Sequence, residues 1–142
     1  MNTTLLLRIA SIATLLFALG HSMGAPWTPD NEPAPASVVE AMKSVSFDVM
    51  GSGRTYWDFY FGFGVSISIY LIVQAAVLWF LATIAKTQPA TVRPLVIVLL
   101  VAYIANTYVT WRYFFAAPLG LSLVMVVCLA LALVTSRSRA RA

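Results

Sequence analysis

The chain has 142 residues, of which 61% are hydrophobic and 10% charged, and its formal net charge is +4. A soluble domain is nearer ~45–50% apolar and ~25% charged, so a chain this short has more apolar surface than it can hide from water, and it is too short for two ordinary domains. The positive charges sit at the ends of apolar runs, as orientation signals do, which argues against a nucleic-acid partner; the single cysteine, Cys128, excludes an internal disulfide, a CxxC redox centre and a cysteine-rich metal site.

The first apolar run covers residues 5–22. The HSMGA segment offers small residues for a signal-peptide cleavage site. However, no Lys or Arg precedes the run, and Arg8 falls inside it, so a retained helix is expected. Ala10, Thr14 and Ala18 recur every four residues and give a face that another helix can approach closely. Residues 24–56 form a long loop outside the spans. Pro26, Pro29, Pro33 and Pro35 forbid regular helix up to Pro35, and Asp30 and Glu32 keep that linker wet. Ser37 to Glu40 reads as a capping box. Behind it Val38, Met42, Val45 and Val49 share one helical face, which predicts a short amphipathic helix ended by Gly51-Ser52-Gly53.

The second span runs over residues 57–84. At 1.5 Å per residue it is about 40 Å long, more than the ~30 Å hydrocarbon core, so its aromatic start reaches into the interface or the helix tilts. Gly62 and Gly64 suggest close packing on this span, and Gln74 is a deeper polar residue. A polar turn with Lys86 and Arg93 leads to Pro94 at a helix start and a third span over 95–115. Ala116-Ala117-Pro118 predicts a tight hairpin into a fourth span over 119–135, and Arg137, Arg139 and Arg141 close the chain. The expected architecture is an all-α integral membrane protein. It is one domain, residues 1–142, with four transmembrane helices in a bundle and an amphipathic helix in the first external loop.

With four spans both termini share a side. That side collects Arg8, Lys86, Arg93, Arg137, Arg139 and Arg141, and the other collects Lys43, Arg54 and Arg112. The bias places both termini in the cytoplasm. His21, Arg54, Asp58 and Arg112 then lie at one level on the outer side, with Tyr108 one turn below Arg112. Charges within a membrane face the bundle interior and pair. Asp58 has two candidate partners, Arg54 four residues away on its own helix and Arg112 on the third span. Two arginines and one aspartate leave a surplus positive charge suited to a phosphate or carboxylate. Around them the stretch Arg54–Gly64 carries Tyr56, Trp57, Phe59, Tyr60, Phe61 and Phe63. His21, Arg54, Trp57, Asp58, Tyr108 and Arg112 are therefore the candidate ligand-binding residues. Each also has a plainer reading: interfacial polar residue, helix clamp, snorkelling cation or aromatic belt. Motifs for metal, phosphate-loop or nucleophile-elbow chemistry are absent, and no cofactor is expected.

GHSMG at the end of the first span and RTYWDFYFGFG at the start of the second, in a four-span chain with a long first external loop, resemble the small bacterial inner-membrane proteins grouped as DoxX-like. The resemblance implies a bacterial four-helix bundle in the inner (cytoplasmic) membrane and carries over no catalytic residues. The expected function is binding of a small hydrophobic or lipid-like anionic ligand at the outer face. The alternative is an accessory or assembly subunit of a larger membrane complex, with the polar cluster as a clamp. An enzyme ranks below both; in that case His21 would move the proton.

Overall fold

The computed structural model describes residues 2–24 and 33–139. Among these the elements are α1 (Thr3–Met23), α2 (Pro33–Ser44), β1 (Ser46–Val49), β2 (Ser52–Thr55), α3 (Tyr56–Ile84), α4 (Arg93–Tyr113) and α5 (Ala116–Arg139). α1, α3, α4 and α5 are long and apolar enough to cross a membrane. At 21 residues, α1 and α4 are each about 31 Å long, which matches the ~30 Å hydrocarbon core.

The four expected spans are all present with shifted ends. α4 starts at Arg93 with Pro94 in its first turn, where a missing amide costs nothing. The link to α5 is Phe114-Phe115, one step earlier than expected, and Ala116-Ala117-Pro118 forms the first turn of α5. The external segment departs more from expectation. Part of the proline linker, residues 25–32, lies outside the described residues, as do Arg141 and the side chains of Arg137 and Arg139. α2 begins at Pro33, so Ser37 is inside the helix and not its cap. Pro33 and Pro35 are tolerated because first-turn amides have no intrahelical partner. α2 stops at Ser44, and Val49 belongs to a β-hairpin rather than to a helical face. The strands pair antiparallel with Phe47 opposite Arg54 and Val49 opposite Ser52. Met50 (φ 54°) and Gly51 (φ 82°) take the two left-handed positions of a two-residue hairpin turn. Gly51 N–H donates to Asp48 Oδ1 at 3.0 Å.

The chain packs as two compact units, Met1–Phe17 with Leu71–Ala142, and Ala18–Tyr70. In the first unit the contacts fix the helix directions. Arg8 stands beside Trp79 and Ser11 beside Ala75, so α1 runs antiparallel to α3. Thr3 stands beside Thr135 and Thr14 beside Met125, so α1 is antiparallel to α5 as well. α4 and α5 form a hairpin packed along its length. The core joins Leu6, Leu7, Ala10, Leu78, Ala82, Val92, Val96, Tyr103, Met125, Cys128, Leu129 and Ala132. Its alanines let backbones approach closely, which drives helix association where lipid is as apolar as leucine.

Hydroxyls tie these helices together. Ser11 Oγ donates to the Ala75 carbonyl at 2.7 Å. Thr14, fully buried, lies 2.8 Å from the Ala10 carbonyl, 2.9 Å from the Tyr103 hydroxyl and 2.9 Å from Met125 Sδ. One threonine proton serves one acceptor at a time, so when Thr14 donates to Ala10 the Tyr103 phenol donates to Thr14. The expected small-residue face of α1 is present: Ala10, Thr14 and Ala18 are all buried. Gly62 departs from expectation, since a Cβ there would meet no atom within 4 Å and no helix packs closely on it.

The second unit is the end of α1, the α2–hairpin segment and the first half of α3. Ser22 Oγ donates to the Ala18 carbonyl at 2.7 Å and to Ser68 Oγ at 2.9 Å in alternative hydroxyl orientations. Phe47 packs on Tyr56 and Phe59, with ring centroids 4.8 and 5.7 Å apart, which seats the hairpin on the first turn of α3.

Candidate functional site

The six expected residues fall into two groups. His21, Arg54, Trp57 and Asp58 belong to the second unit, and Tyr108 and Arg112 to the first.

In the second unit the head of α3 closes on itself. Thr55 is its N-cap, and Asp58 stands three residues on. The Asp58 amide donates to Thr55 Oγ1 at 3.2 Å, and the Thr55 amide donates to Asp58 Oδ2 at 2.8 Å. This is a capping box, the motif expected at Ser37 and found one helix later. It changes the reading of Asp58. Both Asp58 and Arg54 are exposed, and among the described residues of this unit Asp58 makes no ion pair with Arg54. Arg54 instead donates through a guanidinium nitrogen to the Gly53 carbonyl at 2.9 Å. The helix start therefore occupies the carboxylate, and the arginine keeps its charge toward the surface.

The box makes a prediction with a sign. Thr55→Ala should cost about 0.5–2 kcal/mol of stability, read by thermal unfolding of detergent-solubilised protein. Asp58→Ala should destabilise in the same direction, and Asp58→Asn less, because the amide oxygen still accepts. Equal losses for Asp58→Asn and Asp58→Ala would show that the charge matters more than the cap.

Trp57 is half-buried, with the Lys43 ammonium of α2 4.7 Å above its ring. Trp57 also lies 5.7 Å from Tyr60 and 6.3 Å from Phe61. With Tyr56, Phe59 and Phe63 exposed, rings surround the first turns of α3 as an aromatic platform, with Lys43 over Trp57 and Arg54 just before the helix begins. Neither cation forms an ion pair among the described residues of the unit. Lys43 and Phe47 are the members sequence reasoning did not find. The alternation Val45, Phe47, Val49 before Met50-Gly51 is the signal that points to Phe47.

His21 lies deeper. Its Nε2 is 3.0 Å from the Gly64 carbonyl, which can only accept, so that nitrogen carries the proton in this bond. The ring joins α1 to α3 within the unit, and one nitrogen is committed to that task. In the first unit Tyr108 is exposed, 6.0 Å from Trp111. Arg112, also exposed, lies over Tyr113 at 5.4 Å. This is an aromatic edge at the end of α4, one turn long. Among the described residues no three His, Cys, Asp or Glu side chains group as metal ligands.

No known family, curated protein or solved structure matches the chain. The chemistry of the site therefore rests on its own geometry.

Proposed function

We propose that this is an integral membrane protein of four transmembrane helices, oriented with both termini in the cytoplasm, that holds a lipid-like anionic ligand on the aromatic platform of its second unit. The observation that carries this reading is the capping box. With the Asp58 carboxylate held by the α3 start, Lys43 stands over Trp57 and Arg54 lies just ahead of the aromatic first turns of α3, with no ion pair to a carboxylate among the described residues of the unit. An amphiphile with a phosphate or carboxylate head would meet charge-assisted donors at the rim and ring faces behind them. His21 contributes by fixing α1 to α3 below the platform.

The test is a variant in which Trp57 is the sole tryptophan, titrated in detergent with decyl phosphate. A saturable change in Trp57 emission is expected. Lys43→Gln with Arg54→Gln should weaken it by about 10-fold or more, since each charge near a membrane surface contributes ~1 kcal/mol and charge-assisted hydrogen bonds add to that. A response that does not saturate, or that survives the double substitution, would end the ligand reading.

One observation favours an accessory subunit. Both strands of the hairpin are short, and Met50 at its tip is fully exposed. A tip of this kind suits docking to a partner protein. Loss of a co-purifying protein on replacing Met50-Gly51 with Asn-Gly, with decyl phosphate binding absent throughout, would select that reading.

A further inference from the structure

The acidic residues are confined to one of the two units. Asp30, Glu32, Glu40, Asp48 and Asp58 all fall within Ala18–Tyr70. The first unit, Met1–Phe17 with Leu71–Ala142, has no Asp or Glu, yet it carries Arg8, Lys86, Arg93, Arg112, Arg137, Arg139 and Arg141. No side chain of that unit can neutralise any of them.

Arg8 is the telling case, because it lies within a transmembrane helix. It is five residues from the start of α1, about 7.5 Å along the axis. Its guanidinium carbon sits 4.2 Å from the centre of the Trp79 ring. Its Nε is buried with no hydrogen-bond partner among the described residues. The terminal guanidinium nitrogens are not among the buried, unpartnered atoms and make no hydrogen bond there, so they are open at the surface of the unit. A loosely snorkelling arginine moves its whole head to water. This one is held against an indole with its terminal nitrogens not fully buried, in a segment where an unpaired cation is costly.

We propose that Arg8 and Trp79 form a binding site for the phosphate of an anionic phospholipid, in the leaflet at the end of the unit where α1 begins and α3 ends. The flat guanidinium can give two parallel hydrogen bonds to one phosphate while its other face stays on the indole. Lys86 follows in the turn just after α3, seven residues beyond Trp79, and it is exposed. In the opposite direction Ile12 and Leu16 continue the Arg8 face of α1, and Ile72 continues the Trp79 face of α3. All three are about half exposed, a strip on which an acyl chain can lie. The site uses none of the residues of the aromatic platform and stands or falls without it.

Native mass spectrometry of the full chain, released from detergent containing dioleoyl phosphatidylglycerol or dioleoyl phosphatidylcholine, tests the proposal. In a Lys43→Gln, Arg54→Gln background, which removes the cations of the aromatic platform, the chain should retain one phosphatidylglycerol about fivefold or more tightly than phosphatidylcholine, the effect of one basic residue near a membrane surface. Arg8→Gln should abolish the preference, and Arg8→Lys should keep only part of it. Lys86→Gln, on an exposed turn, should reduce it without disturbing the fold. Equal retention of the two lipids by that background would overturn the site whatever the further variants do. So would displacement of the lipid by millimolar inorganic phosphate, which would show a free-phosphate site instead.

Discussion

Leu78→Ala should lower the stability of the folded bundle by about 2 kcal/mol, near the low end of the ~2–5 kcal/mol seen for buried leucines in soluble cores. Leu78 is fully buried in the cluster that joins α1, α3, α4 and α5. In water its loss would forfeit both transfer energy and packing. Between membrane helices the alternative environment for leucine is lipid, so most of the transfer contribution falls away and the cavity contribution remains. Ile72, on the same helix and 52% exposed, provides the control: Ile72→Ala should change stability by less than about 0.5 kcal/mol. Equilibrium unfolding in mixed micelles measures both. Equal losses at the two positions would contradict the placement of the core on the Leu78 face.

Thr14→Val should be the costlier half of a coupled pair. It keeps the shape of the side chain but removes the acceptor for Tyr103, whose phenol sits at 3% exposure between helices. A buried polar group without a partner costs about 1–3 kcal/mol. Tyr103→Phe removes the other half and leaves Thr14 its bond to the Ala10 carbonyl, so it should cost less. The double substitution should recover much of the loss from Thr14→Val, with a coupling of about 0.6–1.7 kcal/mol, as for other interhelical hydrogen bonds in membranes. Strict additivity in the same unfolding experiment would mean that the two hydroxyls do not depend on each other.

How much of this was legible varies with the kind of signal. Four long apolar runs can only be long helices, so the spans were readable and their ends moved by a few residues. The Ala10–Thr14–Ala18 spacing foretold the buried side of α1 for the same reason. The external segment misled because a spacing of four residues fits both a helix and a strand. Val45 and Val49 are one helical turn apart and also two strand repeats apart. Only the Met50-Gly51 turn, with its left-handed backbone, decides for the strand. The cap was misplaced because Ser37-x-x-Glu40 and Thr55-x-x-Asp58 are the same pattern. The prolines before Ser37 suggest a boundary there, although a helix can begin on one. The pairing of Arg8 with Trp79 could not be read at all, because it depends on the register of two antiparallel helices 71 positions apart in the chain.

The closed start of α3 also bears on where that helix can sit. A helix begins with four amides that lack intrahelical acceptors, and they usually rely on water. Here the Asp58 amide is answered by Thr55 Oγ1, and the amide of the cap residue itself is answered by Asp58 Oδ2. With less hydration to lose, the helix tolerates a drier layer than most helix ends do, and its ring-rich first turns can settle below the fully wetted surface.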